Sequence, residues 1–456
     1  MMLMSRKRRR KKPRKPLSTW EMIFCVGSLL LMIGVGVYYG YRSMFYYSKQ
    51  NYRLSSEAAT LKSRIVYDNK LVKEGDGLHQ DTEGYYYKGI VNNNYVKYSN
   101  RLFRIIRVNN DDTIRIISDD IGASFMWGID SKYENSNVRH WLDNTNNNNS
   151  GVYYNTLAGI DKLTVKTKYT IDKLEEDKVV PGKDKNTSSV TTLGIKDYVD
   201  AGGKNSFLNI GKAFWILGYQ NDSNLYVSPE GSLEESTTYE SYGVRAVITL
   251  KKDITVVGGS GTKEDPYVID QGKYKNDVDN YVKLGNDLWK INVDSKEGYY
   301  TMYAADYLKI GDVITSPYDL EDNVLFEPDN KKNIGYFLNH NYFDTLTYRD
   351  YLLLTPFRIG EVSLDTDYVY YRNFDKEVLA KVGLLNIFDY YSGELDDFFY
   401  LNNTGEVSDM LFIHNKEGYL EEDGVDVYRK VVPCVSISKQ RITGGSGSKE
   451  DPYRVS

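Results

Sequence analysis

The sequence predicts an α+β protein: an N-terminal transmembrane helix and a helical stalk, followed by two tandem domains. Three observations predict it. Residues 22–39 form an eighteen-residue run without a charge, just after a segment (6–16) that carries nine basic residues and no acid. Residues 45–73 contain neither proline nor glycine and place apolar side chains at helical spacing. Two decapeptides, GGSGTKEDPY at 258–267 and GGSGSKEDPY at 444–453, recur at an offset of 186 residues.

Composition narrows the classes further. A chain of 456 residues is long enough for two or three domains. Hydrophobic residues at 41% and charged residues at 27% exclude a wholly disordered chain. Tyrosine is the outlier: 42 of 456 residues is roughly 9%, which favours β-rich domains with wet aromatic surfaces. The two cysteines, Cys25 and Cys434, supply no disulfide framework and no cysteine-ligated zinc site. His79, His140, His340 and His414 lack ligand spacing.

The elements follow in order. Residues 1–17 read as a basic cytoplasmic tail and 18–41 as a transmembrane anchor able to cross about 30 Å of hydrocarbon. Trp20, Tyr38, Tyr39 and Tyr41 sit at its two edges as an aromatic belt. The positive cluster places the N-terminus in the cytoplasm and everything beyond in the extracellular space, a single-pass protein of the cell membrane. The run exceeds the usual length of a signal peptide core and no Ala-x-Ala site follows, so the anchor reads as uncleaved. The lipid bilayer is the partner of the basic tail. Removing its nine charges from the net −5 leaves −14 for residues 17–456, which argues against a nucleic-acid surface.

Residues 42–84 read as stalk and linker. Tyr47, Leu54, Ala58, Leu61, Ile65 and Val72 form one apolar stripe. A coiled-coil homodimer is one use of it. Asn51 and Asp68 fall on the same seam, so a single helix leaning on the first domain is the preferred reading.

The repeat extends inward from the decapeptides. YVKYSNRLFRI at 95–105 matches YVKLGNDLWKI at 281–291, also at an offset of 186. VRAVITLKK at 244–252 corresponds to VVPCVSISK at 431–439. Two domains follow, 85–270 and 271–456, the second diverged. In the first, strands are expected at 95–97, 102–108 and 113–118, with Asn109–Asp112 as a hairpin turn. A short helix carries Trp141 and Leu142, a polar stretch spans 143–190, and a helix at 193–201 ends at Gly202-Gly203. Strands at 213–217, 225–228, 244–250 and 267–269 complete the domain.

The order YYYKGIVNNNYVKYSNRLFRIIRVNNDDTIRII, WLDN, LGIKDYVDAGG, AFWILG, YGVRAVITL and GGSGTKEDPYVI resembles an uncharacterised domain family of Gram-positive membrane-anchored surface proteins. That family looks distantly like the C-type-lectin-like fold shared with formylglycine-generating enzymes. The resemblance implies that Gly243-Val244-Arg245 is a core strand near the end of the domain. Residues 271–456 match more weakly, with Val431-Val432-Pro433 in place of that tripeptide. Lectin calcium motifs and the cysteine chemistry of the formylglycine enzymes are missing, so neither activity is carried over.

Motifs for chemistry are sparse. No GxSxG, P-loop, HExxH or CxxC occurs. Two acids in each decapeptide are too few for the six to eight oxygens that calcium takes, so no metal and no cofactor is expected. The structural set is Trp141, Trp215, Gly243, Arg245, and the loop residues Gly258, Gly259, Gly261, Pro266, Gly444, Gly445, Gly447 and Pro452. Trp127 lies with Phe125, Met126 and Tyr133 in an aromatic segment. Trp127, Tyr133 and Arg139 form the candidate ligand set, because aromatic faces stack on sugars and peptides; core packing is the competing role of Trp127. The expected function is binding of a glycan, cell-wall or protein ligand rather than catalysis. A cell-envelope hydrolase using Asp and Glu, and a scaffold for membrane proteins, are the alternatives.

Overall fold

A computed structural model describes residues 18–20, 22, 26, 28, 31–42, 59–145, 150–292, 298–309, 315–361, 376–387, 389, 399–404, 410–414 and 420–456. The chain divides into two compact units, Met1–Ala58 and Ala59–Ser456.

The membrane assignment is corrected. Among the described residues no helix is long and apolar enough to cross a membrane. The transmembrane anchor at 18–41, the single-pass topology, the cell-membrane location and the extracellular, cell-surface placement all fall with it. The basic tail at 1–17 and residues 21, 23–25, 27, 29 and 30 of the run lie outside the described residues.

The helical stalk is corrected as well. Residues 43–58 lie outside the described residues, and the described helix spans only Leu61–Asp68. Thr60 caps it by accepting from the Ser63 amide at 3.2 Å. At the other end Asn69 turns extended while its side-chain amide donates to the Ile65 carbonyl at 2.8 Å. Leu61 and Ile65, two positions of the expected stripe, are fully buried in the core of the following domain.

The α+β class, and with it the C-type-lectin-like architecture, is the third correction. Strand makes up 38% of the chain against 20% helix, so sheets carry the fold. The cause lies in the connections. Among its described residues the polar stretch 143–190 forms two one-turn helices, Val152–Asn155 and Ile160–Leu163, and then short strands at Thr164–Val165, Thr167–Tyr169, Asp172–Glu175, Lys178–Val180 and Asn186–Ser188 rather than a long helix.

The first large sheet runs in the order Val256–Gly258, Tyr267–Ile269, Tyr95–Tyr98, Arg101–Asn109, Ile114–Ser118, Val247–Leu250, Thr164–Val165. Its central strand, Arg101–Asn109, buries Phe103, Ile105, Ile106 and Val108, as a strand covered on both faces does. The turn beyond it is closed by the Asn109 amide donating to the Thr113 carbonyl at 2.8 Å, with Asp112 left-handed at φ 68°.

A second large sheet shows the same strand order through six strands: Ile442–Gly444, Tyr453–Val455, Tyr281–Leu284, Asp287–Ile291, Tyr299–Ala304, Pro433–Ser438. In both sheets the closing strand is parallel to the opening one, with Tyr267 opposite Val96 and Tyr453 opposite Val282.

One expected strand is split. Residues 244–250 form two strands, Ser241–Val244 and Val247–Leu250, which belong to different sheets. The chain crosses between them at Arg245-Ala246. Ser241–Val244 joins a sheet built on the order Lys178–Val180, Asp172–Glu175, Phe214–Gln220, Ser223–Val227, Leu233–Ser236. That second layer positions the candidate site.

The two halves meet through polar contacts. Arg101 Nε lies 2.6 Å from Asp279 Oδ2, with both side chains largely buried. The Asn100 amide donates to the Val278 carbonyl at 2.8 Å, and the Asn276 amide to the Thr156 carbonyl at 3.0 Å.

Candidate functional site

Strand Phe214–Gln220 starts as an apolar strand and ends in a bulge between Ile216 and Tyr219. Gly218 makes the bulge possible: a Cβ there would stand 2.1 Å from Ile195 Cδ1 and 2.8 Å from the Asp172 carbonyl oxygen. Bulges re-aim the side chains that follow them. Here Tyr219 is set opposite Asn224, across a tight turn whose Asn221 and Asp222 are both left-handed at φ 46° and 66°.

This hairpin end, the 127–133 loop and Ile171 enclose a cleft of about 240 Å³. Trp127, Ser131, Tyr133, Tyr219, Asp222 and Asn224 line it. Trp127 is 1% exposed and packs edge-on against Trp215 at 5.3 Å and obliquely on Tyr133 at 5.9 Å. The Tyr133 hydroxyl shares a hydrogen bond with Thr191 Oγ1 at 3.1 Å. Burial pushes that phenol far above its ordinary pKa, so it stays neutral. Asn224 donates through Nδ2 to the Ser131 carbonyl at 3.3 Å. Two buried polar atoms on this wall, Trp127 Nε1 and Asn224 Oδ1, have no hydrogen-bond partner among the described residues. Such atoms are rare in folded proteins and each requires an explanation.

Of the candidate ligand set, Trp127 and Tyr133 come together here. Arg139 does not line the cleft. It sits half-buried on helix Asn137–Leu142 and donates through Nη1 to the Glu134 carbonyl at 3.0 Å. Tyr219, Asp222 and Asn224 were missed in the sequence. The signal for them was the Asn-Asp pair between two strands, which marks a turn but not what the turn encloses.

A neighbouring cleft of about 310 Å³ opens on the other side of segment 169–172. Of its acids, Glu83 and Asp197 meet cations, while Asp172 accepts from the Thr170 hydroxyl at 2.6 Å and the Gly182 amide at 3.1 Å. Arg107 binds Asp81 at 2.9 Å and Asp200 at 3.1 Å, and Lys196 binds Glu83 at 2.9 Å and Asp200 at 2.7 Å. Asp81, Glu83 and Asp200 bring carboxylate oxygens within 4.8 Å of one another, but Arg107 and Lys196 already supply the positive charge at that point. Arg115 binds Asp197 at 2.6 Å.

The structural set falls where packing needs it. Trp141 meets Phe125 at 5.7 Å, and Trp215 donates its indole N–H to the Phe125 carbonyl at 2.9 Å. Gly243 leaves room for Ile121. Arg245 is wholly buried and bonds backbone carbonyls only. In the decapeptide loops the acid closes its own turn. Asp265 Oδ2 accepts from Ser260 Oγ at 2.7 Å, and Asp451 Oδ2 accepts from the Ser446 amide at 2.8 Å. The Gly261 and Gly447 carbonyls receive the Tyr95 and Tyr281 amides, each at 2.7 Å. Gly258, Gly444, Pro266 and Pro452 complete these loops beside Gly259 and Gly445.

His140, buried on the same helix as Trp141, shares a hydrogen bond through Nδ1 with Thr145 Oγ1 at 3.0 Å. Burial, reinforced by Arg139, pulls its pKa down to about 4. The folded state therefore holds it neutral where the unfolded state, near 6.5, takes up a proton. Its contribution is present above about pH 6.5 and is lost as the pH falls toward 4, at about 1.4 kcal/mol for each unit crossed. Urea denaturation from pH 7 to pH 4.5 should show this slope, and His140→Gln should flatten it. An unchanged slope in that variant would assign the acid sensitivity to other groups.

No protein-family model, no curated protein and no solved structure matches this chain.

Proposed function

We propose that the chain is a tandem binding protein whose first domain takes a sugar ring in the Trp127 cleft. The observation that carries this reading is a cleft in which the half-buried ring of Tyr219 stands beside the polar groups of Asn224 and Asp222, backed by the buried Trp127 and Tyr133. Aromatic faces cover the apolar C–H face of a pyranose, while amide and carboxylate groups bond its hydroxyls. A cleft of about 240 Å³ has room for a single such ring rather than a folded partner. The hydrolase alternative draws no support from the adjacent cleft, where Lys196 holds Glu83 and Arg115 holds Asp197.

The test is a glycan array probed with the full chain, followed by titration calorimetry on the best binder. Saturable binding is expected. Tyr219→Ala, which removes a half-buried wall of the cleft, should weaken it about tenfold or more, the loss of roughly 1.5 kcal/mol of aromatic contact. Asp222→Asn keeps the left-handed turn residue and should have a smaller effect. Binding that survives Tyr219→Ala unchanged would place the site elsewhere, and a blank array with folded protein would reject a glycan ligand.

A further inference from the structure

We infer that this cleft selects a sugar bearing a protonated amine, so that its ligand is an amino sugar with a free ammonium group. The inference rests on the sugar-binding reading above and names the charge that the cleft accepts. It starts from the lining. Among the described residues Asp222 is the one carboxylate there, and no lysine, arginine or histidine joins it. Asp222 stands in the tight turn that borders the cleft, exposed and left-handed at φ 66°. Its neighbour Asn221 is spent on Glu235 at 2.8 Å. Asp222 is not spent in this way: among the described residues nothing donates a hydrogen bond to it or forms an ion pair with it. Lys173, opposite Tyr219 on the adjoining strand, feels that carboxylate but is paired with Glu175 at 2.8 Å.

The half-buried ring of Tyr219 is the second element. An aromatic face attracts a cation through its quadrupole, and a carboxylate attracts it through its charge. An ammonium group on the sugar meets both. A neutral hydroxyl in its place gains a hydrogen bond to the carboxylate and no more. A carboxylate or phosphate on the sugar meets a like charge, with no cation in the lining to offset its lost hydration. The exposure of Asp222 sets the size of the preference: a pair open to water is weak and is screened by salt.

The experiment compares the methyl β-glycosides of glucosamine, glucose and glucuronic acid, which share one ring and differ in charge. Each is titrated into the full chain and followed by ligand-observed NMR. The glucosaminide is expected to bind about three- to fivefold more tightly than the glucoside, and the glucuronide more weakly than either. Salt at about 1 M, where the screening length is about 3 Å, should compress the first ratio. Asp222→Asn keeps a residue suited to the left-handed turn, and its readout is the ratio of glucosaminide to glucoside affinity rather than either affinity alone. That ratio should fall to about one, with a thermal melt to check that the fold is retained. A ratio left intact by Asp222→Asn would trace the preference to the net negative charge of the chain and overturn the inference. Equal binding of glucosaminide and glucoside to the unaltered chain overturns it too and leaves sugar binding standing. Nα-acetyl-lysine methylamide supplies an ammonium without a sugar; if it binds as well as the glucosaminide, the amino-sugar inference falls. If none of the three glycosides binds while another glycan does, the inference falls alone. If no glycan binds to folded protein, both readings fall.

Discussion

Replacing Gly259 with alanine is expected to destabilise the protein by more than about 3 kcal/mol, one of the largest single effects available in this chain. Gly259 adopts φ 91°, and a Cβ there would stand 1.7 Å from the Pro266 carbonyl oxygen and 2.8 Å from Tyr267 Cα. Backbone, not a flexible side-chain tip, occupies the space. The strand that must shift is Tyr267–Ile269, which closes the first sheet by pairing parallel with Tyr95–Tyr98. Gly258 is the internal control, because a Cβ at that position meets nothing within 4 Å. Gly258→Ala should stay within about 0.5 kcal/mol of the parent. The second loop repeats the contrast: Gly445 has φ 94°, and its Cβ would lie 2.2 Å from the Pro452 carbonyl oxygen. Thermal melts of Gly258→Ala, Gly259→Ala and Gly445→Ala decide the matter. A Gly259→Ala protein that melts with the parent would show that the loop relaxes freely and that the Pro266 contact has no structural weight.

The decapeptide loops are legible in the sequence itself. A glycine pattern repeated with the same Pro-Tyr after it marked a turn that needs positive φ, and the strands around it alternate in a way that only a sheet satisfies. Strands 95–98, 101–109 and 114–118 were legible for the same reason: Val96, Phe103, Ile105, Ile116 and their neighbours supply enough β-branched and aromatic surface to decide the local state. What failed were segments whose state is decided by partners. Strand Thr164–Val165 is held by Val247–Leu250, and Asp172–Glu175 by Phe214–Gln220; neither has a pattern of its own. Leu61 and Ile65 fit a dimer seam as well as a domain core, because spacing alone does not say which surface covers a stripe. In the first 42 residues an uncharged run reads as a spanning helix, whereas among the described residues no helix is long and apolar enough to cross a membrane.

The candidate site divides in the same way. Trp127 and Tyr133 stood out by residue type and proximity in the chain. Asn224 did not, since its interest lies in one oxygen that finds no partner, and that depends on where Ser131 and Trp127 come to rest. Arg139, the third member of the ligand set, is not brought to the cleft. Helix Asn137–Leu142 carries it to the Glu134 carbonyl instead.

Arg245→Leu should have a comparably large effect, and its sign follows from two opposed terms. The Arg245 guanidinium is fully buried, and burial pulls its pKa down to about 10. It stays protonated at neutral pH, and the charge itself disfavours folding. Against that stand its hydrogen bonds: Nε and Nη2 donate to the Ser118 carbonyl at 3.1 and 2.8 Å, and Nη1 donates to the Leu208 carbonyl at 2.7 Å. The guanidinium also lies over the Phe214 ring at 5.1 Å. Leucine removes the charge but strands two buried carbonyls, each worth about 1–3 kcal/mol, and leaves a cavity. We expect a net loss of about 3 kcal/mol, read as a fall in melting temperature of about 6–12 °C for a domain of this size. Arg245→Lys keeps the charge but not the fork that spans Ser118 and Leu208, so it should recover only a minor part. The position matters because the chain passes from one sheet to the other at this residue, and the guanidinium is what ties that crossing to the end of strand Ile114–Ser118. The corresponding stretch of the second half, Val431-Val432-Pro433, is a buried apolar run with no cation. If Arg245→Leu melts like the parent, desolvation of the charge equals its hydrogen bonds, and the crossing is held by packing alone.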